Sequence, residues 1–166
     1  MNEPQKFNNF INGQWKEPQG GNYYPDINPA DYSDIVGYFP LSTKNDVDEA
    51  IQAAHIAFKS WSHMLPAERA KYLEKFAQLL DQEKQRIGEA LCREEGKTIK
   101  EAVGEPARGA VETSFFIGEG QRLEGITMPS DRKGVVSVAT RVPIGVVAAI
   151  SPWNFPFLTP VRKVIP

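Results

Sequence analysis
Apolar positions along the first third of the chain change period twice, and each change marks an element. Phe7-Asn8-Asn9-Phe10-Ile11-Asn12-Gly13-Gln14-Trp15 places Asn-Gly between two apolar arms, which predicts a hairpin with a type I′ turn. Pro18 to Gly21 reads as loop. Tyr23 to Pro29 is extended and interrupted by prolines, so it belongs at a sheet edge or between elements. Ile35-Val36-Gly37-Tyr38-Phe39 is a further short strand. From Val47 the spacing becomes helical: Val47, Ala50, Ile51, Ala54, Ala57, Phe58 and Trp61 share one face, expected to be buried. Thr43 is placed to cap this helix, with Asp46 completing an approximate capping box.

Pro66 opens the next helix from a favourable first-turn position. Its stripe is Ala70, Leu73, Ala77, Leu80, Ile87 and Leu91, with a break expected near Gly88 and an end at Gly96. A third helix is expected from Thr98 towards Gln121, kinked or restarted at Pro106. Gly125 to Ser130 reads as loop. Val135 to Val142 alternates as a strand, which Pro143 ends. Ile144-Gly145-Val146-Val147-Ala148-Ala149-Ile150 is apolar almost throughout, the pattern of a parallel strand covered on both faces. Parallel neighbours require crossover connections of a dozen or more residues. Only residues 151–166 follow, so the sheet is expected to be incomplete within this chain.

Composition narrows the class without fixing it. The 166 residues are 41% apolar and 24% charged, with a net charge of -2. That suits a globular chain and gives no reason to expect nucleic acid or an acidic membrane surface as partner. No apolar run approaches the length of a membrane span. The run Met1 to Lys6 lacks the apolar core of a leader peptide. A single cysteine, Cys92, precludes an internal disulfide and is in keeping with a reducing compartment, so a cytoplasmic location is expected.

Several motifs fail on inspection. Gly96-Lys97-Thr98 looks like the tail of a phosphate loop, but Leu91 stands where its first glycine belongs and a helix precedes it. A helix C-cap at Gly96 is the better reading. Gly118-Glu119-Gly120 begins a dinucleotide fingerprint that Leu123 ends. His55 and His63 have no metal-spaced partners, and Cys92 has no neighbouring histidine. Arg93-Glu94-Glu95 reads as a solvated helix end.

One segment remains. Ser151-Pro152-Trp153-Asn154-Phe155-Pro156-Phe157-Leu158 fixes an amide between two prolines, after the apolar strand and before a helix that Pro156 can open. Open α/β sheets place ligands at the carboxyl ends of their strands. Asn154 there has two compatible readings. Its oxygen can cap the helix, and its NH2 can donate to a developing oxyanion.

Ser151-Pro152-Trp153-Asn154-Phe155-Pro156 resembles the corresponding segment of the NAD(P)-dependent aldehyde dehydrogenase superfamily. The rest of the chain is similar in order: Phe10 to Trp15, Asn28-Pro29-Ala30, Phe58 to Trp61, Pro66 to Ala70, Glu95 to Thr98 with Glu101-Ala102, and Arg141 to Val147. The resemblance implies an α/β amino-terminal part of that fold. Residues 1–130 would form the hairpin and helical region of the cofactor domain. Residues 131–143 would be a bridging strand that pairs between subunits, and 144–166 the first strand of a Rossmann-like domain with the start of its helix.

In that family a cysteine thiolate attacks the aldehyde, and the oxyanion is held by a backbone N–H and the amide matched here by Asn154. Hydride passes to NAD or NADP, and a glutamate-activated water releases the acid. The resemblance places Ile150, Ser151, Pro152 and Trp153 along the cofactor ribose. It places Phe155 and Leu158 on the aldehyde tunnel, where the alternative is plain core. Arg162 resembles a clamp for the distal carboxylate of succinic or 2-oxoglutaric semialdehyde; otherwise it is a surface cation beside Lys163. The nucleophile and general base lie beyond Pro166 in such proteins, and Cys92 does not align with the nucleophile. A dimer or tetramer is implied for the longer protein, and inactivity for these residues alone. A non-catalytic interaction protein and a thioester-forming reductase acting on acyl phosphates are the competing readings.

Overall fold
The computed structural model describes residues 4–166; Met1 to Glu3 of the polar amino-terminal run lie outside the described residues. Strands β1 (Asn9–Ile11) and β2 (Gln14–Lys16) form the expected hairpin, with Phe10 opposite Trp15. Asn12 and Gly13 both adopt positive φ, 53° and 75°, as a type I′ turn requires. Strands β3 (Tyr23–Ile27) and β4 (Ile35–Pro40) pair antiparallel, with a register shift between Asp26 and Ile27. Pro25 is tolerated because β3 is an edge strand, laddered on one side by β4, whose other side meets Lys6 at Tyr38. Phe7 stacks on Phe39 with ring centroids 4.9 Å apart and fixes the preceding segment to this sheet.

Helix α1 (Lys44–Trp61) begins as the sequence predicts. Asp46 accepts from the Thr43 backbone N–H at 2.7 Å and the Thr43 hydroxyl at 2.8 Å. It also accepts from the Gln19 N–H, which ties the helix start to the preceding loop. The apolar face of α1 corrects an expectation: Val47, Ile51 and Trp61 are exposed. Among the described residues α1 meets β1 and, through Trp61, the ring of Tyr72; Ala50 and Phe58 are half-buried and the rest of that stripe is open.

The centre of the molecule is the antiparallel pair α2 (Pro66–Glu95) and α3 (Ile99–Gly120). Ala70, Ala77, Leu80, Gly88 and Leu91 of α2 face Ala102, Glu105, Pro106, Gly109 and Thr113 of α3. The break expected near Gly88 does not occur. A Cβ at Gly88 would lie 2.8 Å from both the nitrogen and the Cα of Val103, so this glycine lets two backbones approach rather than ending a helix. Pro106 likewise sits inside a continuous α3, and its ring is fully buried. Burial against α2 offsets the lost backbone hydrogen bond that would otherwise favour a restart. Gly96 ends α2 at φ 80°, its N–H returning to Cys92 O at 3.0 Å, as predicted.

After α3 two expectations change. Residues read as loop contain β5 (Ile126–Met128), which pairs antiparallel with β6 (Ser137–Ala139). The strand expected over 135–142 is reduced to β6, because only its middle has a partner. Ile144 to Ile150 carries no ladder and is open to solvent, with Ile144 93% and Ile150 85% exposed. A parallel strand acquires its regular bonds and burial only from neighbours, and none is present among the described residues. Helix α4 (Leu158–Val164) then docks on α3 through Leu158 and Val161.

Candidate active site
The turn Ser151 to Phe157 is fixed from outside itself. Three acidic or basic side chains around the α2–α3 junction grip it at successive points. The indole Nε1 of Trp153 donates to Glu94 Oε1 at 2.8 Å. The Asn154 backbone carbonyl accepts from Lys97 Nζ at 3.3 Å. Glu105 Oε2 accepts from the backbone N–H groups of Phe157, at 3.1 Å, and Leu158, at 2.9 Å. The first turn of α4 is thus capped by a carboxylate from α3. The capping reading of Asn154 is corrected: α4 opens at Leu158, two residues past Pro156, and Glu105 already satisfies its first N–H groups.

Electrostatics explain why these groups tolerate burial. Glu105 is only 2% exposed, and its second oxygen is paired with Lys97. The Lys97 ammonium also contacts Glu95 at 2.8 Å and lies 4.8 Å from the centre of the Phe155 ring. Burial alone would lower the Lys97 pKa. The bonds to Glu105 and Glu95 outweigh that and raise it, so the ammonium stays charged. Burial raises the Glu94 pKa, with the Trp153 bond working in the opposite sense. Glu94 and Glu95 are half-buried and engaged, so the solvated helix end read from the sequence is corrected for both; Arg93 is exposed and paired with Asp34 at 2.6 Å.

With its neighbours held, the Asn154 side chain is exposed and takes part in none of the bonds that fix the turn. Trp153 and Pro156 face a different space, an apolar cleft of about 640 Å³ shared with Phe7, Phe39, Leu91 and Glu94. Pro152 and Phe155 are exposed and Ser151 is half-buried. Leu158 is buried, as is Val161, where α4 meets α3.

Arg162 is exposed and held in an ion pair with α3. Its Nε and Nη2 donate to the two oxygens of Glu112 on α3, at 2.7 and 2.6 Å. Glu112 also receives Arg108 at 2.7 Å. The Arg162 bonds come first among the influences that lower the Glu112 pKa to about 2. The sequence reading missed Glu94, Lys97, Glu105 and Glu112. For Glu105 a signal was available: a lone carboxylate within the buried stripe Ala102, Pro106, Gly109, Thr113.

Cys92, His55 and His63 gather no chemistry, and no three-residue cluster of potential metal ligands occurs among the described residues. Among the described residues no helix is long and apolar enough to cross a membrane.

Comparison with known proteins gives the family. The profile of the aldehyde dehydrogenase family matches residues 15–166. Alpha-ketoglutaric semialdehyde dehydrogenase of Bacillus subtilis strain 168 is 44% identical over 166 residues, which is 100% of this chain and 34% of that protein. A crystal structure of an E. coli NADP dependent enzyme superposes with a TM-score of 0.91 at 32% identity, over 98% of this chain and 33% of the other. An NAD-dependent aldehyde dehydrogenase from Sinorhizobium meliloti gives 0.90 at 29% identity, over 95% and 32%. The chain therefore spans about a third of the length of these relatives. Across nearly all of its own length, this chain belongs to the aldehyde dehydrogenase family.

Proposed function
We propose that these residues supply the amino-terminal part of an NAD(P)-dependent aldehyde dehydrogenase, with Asn154 as the side-chain donor to the aldehyde oxygen. The observation that carries this reading is the combination of a clamped backbone and a free amide at Asn154. A donor fixed before reaction stabilises developing charge without reorganising at that moment. We assign residues 144–166 to the first strand and helix start of a Rossmann-like unit, completed by chain or subunits outside these residues. The cofactor is NAD or NADP. The stretch Ile150 to Trp153 suits it: it carries no ladder bonds, and Ile150, Pro152 and Trp153 are exposed, so a ribose can approach the backbone. When bound, the nicotinamide supplies the hydride acceptor.

Cys92 lies inside α2, outside the cleft beside the turn, and is not assigned as nucleophile. These residues alone are therefore proposed to be inactive. The kinship with a semialdehyde dehydrogenase supports a substrate that carries a distal carboxylate. Arg162 is the proposed clamp, acting through the N–H groups that Glu112 leaves free. Phe155, exposed beside the turn, is proposed for the aldehyde tunnel; the burial of Leu158 leaves it to support that wall from behind. We place the reaction in the cytoplasm, in a homo-oligomer.

The test is Asn154→Ala in the complete gene product, assayed over a panel of aldehydes with each cofactor. A fall in kcat of about 100- to 1000-fold is expected, with the fold retained. Turnover left intact in a folded variant overturns the assignment.

A further inference from the structure
The groups that hold the Asn154 turn converge on one side chain. Glu105 projects from the second turn of α3 towards the start of α4, and it is nearly inaccessible to solvent. One oxygen receives two consecutive backbone N–H groups, of Phe157 and Leu158. The other meets Lys97. Lys97 in turn reaches the carbonyl of Asn154 itself, three residues before Phe157. The ammonium donates to Glu105 and to Asn154 O and meets Glu95 as an ion pair. A closed circuit results, running from α3 through Glu105 to the start of α4, and back through Lys97 to Asn154.

We propose that Glu105 is the positioning residue of this turn, fixing through the α4 start and through Lys97 the backbone from which the Asn154 amide is presented. The geometry singles it out among the three grips. Glu94 holds only the Trp153 indole, a side chain that can rotate without moving the turn. Lys97 holds one carbonyl at 3.3 Å, and its own place depends on two carboxylates. Glu105 alone takes two backbone donors on the chain immediately after the asparagine, from a rigid helix and a buried position. Its charge is balanced there by Lys97, which makes burial of the carboxylate tolerable. The bearing of this circuit on catalysis rests on the proposed oxyanion role of Asn154; the positioning itself does not.

The test uses amide hydrogen exchange and ¹⁵N spectra of the 166-residue chain. In Glu105→Leu, exchange at Phe157 and Leu158 is expected to rise about ten- to hundredfold, the loss of bonds to a charged acceptor, with α2 amides unchanged. The Asn154 backbone and side-chain resonances are expected to shift with it. Lys97→Met removes the link to Asn154 and leaves the caps, so the Asn154 resonances move while Phe157 and Leu158 stay protected. Glu105→Gln keeps an uncharged acceptor and is expected to retain most of the protection that Leu loses; if the Leu variant does not fold, a several-fold rise in exchange in Glu105→Gln serves instead. Unchanged exchange at both amides in a folded Glu105 variant, or an Asn154 signal indifferent to both residues, overturns the proposal. Turnover surviving Asn154→Ala would defeat the oxyanion role and leave these exchange results untouched, so the two ideas fail separately.

Discussion
A guanidinium that already holds a carboxylate can still recognise another. Arg162 spends Nε and one face of Nη2 on Glu112, and Glu112, with its pKa lowered to about 2, remains an anion at any ordinary working pH. The ion pair fixes the plane of the fork, and the Arg162 side chain remains about half exposed, free to meet a ligand in that plane. In the proposed clamp, a substrate carboxylate seated there would make one or two charge-assisted bonds. Arg162→Leu in the complete enzyme is accordingly expected to raise KM for succinic and 2-oxoglutaric semialdehydes about 10- to 100-fold, and to change KM for propanal little. Steady-state kinetics on the three aldehydes decides it; equal losses would assign Arg162 to the docking of α4. Asn154 was legible from its residue type between two prolines, whereas the grips around it were not. Lys97 lies in the connection before α3 and Glu105 eight positions on within it, and the Phe157 and Leu158 amides that Glu105 holds lie more than fifty residues further along, a meeting that no local pattern announces.

Among the elements, the helices were read well because each carries its own signal. Thr43 with Asp46, Pro66 and Gly96 mark ends through local chemistry that needs no partner. The errors fell where a partner decides. Gly88 has the composition of a helix breaker, but its role comes from Val103 across the interface. β5 has no strand pattern of its own and exists through β6. The two glycines nearest this crossing provide a test. A methyl group at Gly88 would press on the backbone of Val103, which cannot rotate away, so Gly88→Ala is expected to destabilise by about 1–2 kcal/mol, overpacking exceeding the gain in helix propensity. A methyl group at Gly104 would meet nothing within 4 Å. Gly104→Ala is expected to stabilise by up to about 1 kcal/mol. Denaturant titration followed by circular dichroism separates them, and changes of the same sign would mean that Gly88 does not meet the Val103 backbone closely.

At the scale of the whole molecule, surface area is the informative quantity. A compact monomer of 18.5 kDa exposes about 8200 Å². This chain exposes 12308 Å², half as much again. The excess has a location. Val135, Val136, Val138, Val142, Ile144, Val147 and Ile150 are all exposed in the stretch around β6 and the unpaired apolar run, and Val47 and Ile51 are exposed on α1. The backbone of the first stretch adds unpaired N–H and C=O groups to the same surface, because β5–β6 is a two-stranded ribbon with both outer edges free. Apolar side chains and open strand edges together favour the addition of another strand. In the complete protein that surface is expected to be covered by further chain or by a neighbouring subunit. Alone, the 166 residues have only one another. Size-exclusion chromatography with light scattering is expected to show mass rising with concentration up to roughly 100 µM. Replacing Val138 and Val147 with lysine is expected to suppress that rise, since a charge on an edge opposes pairing while leaving α2 and α3 untouched. A constant mass of 18.5 kDa across the range would show that the apolar run folds back on its own chain, and the bridging role of residues 131–143 would fall with it.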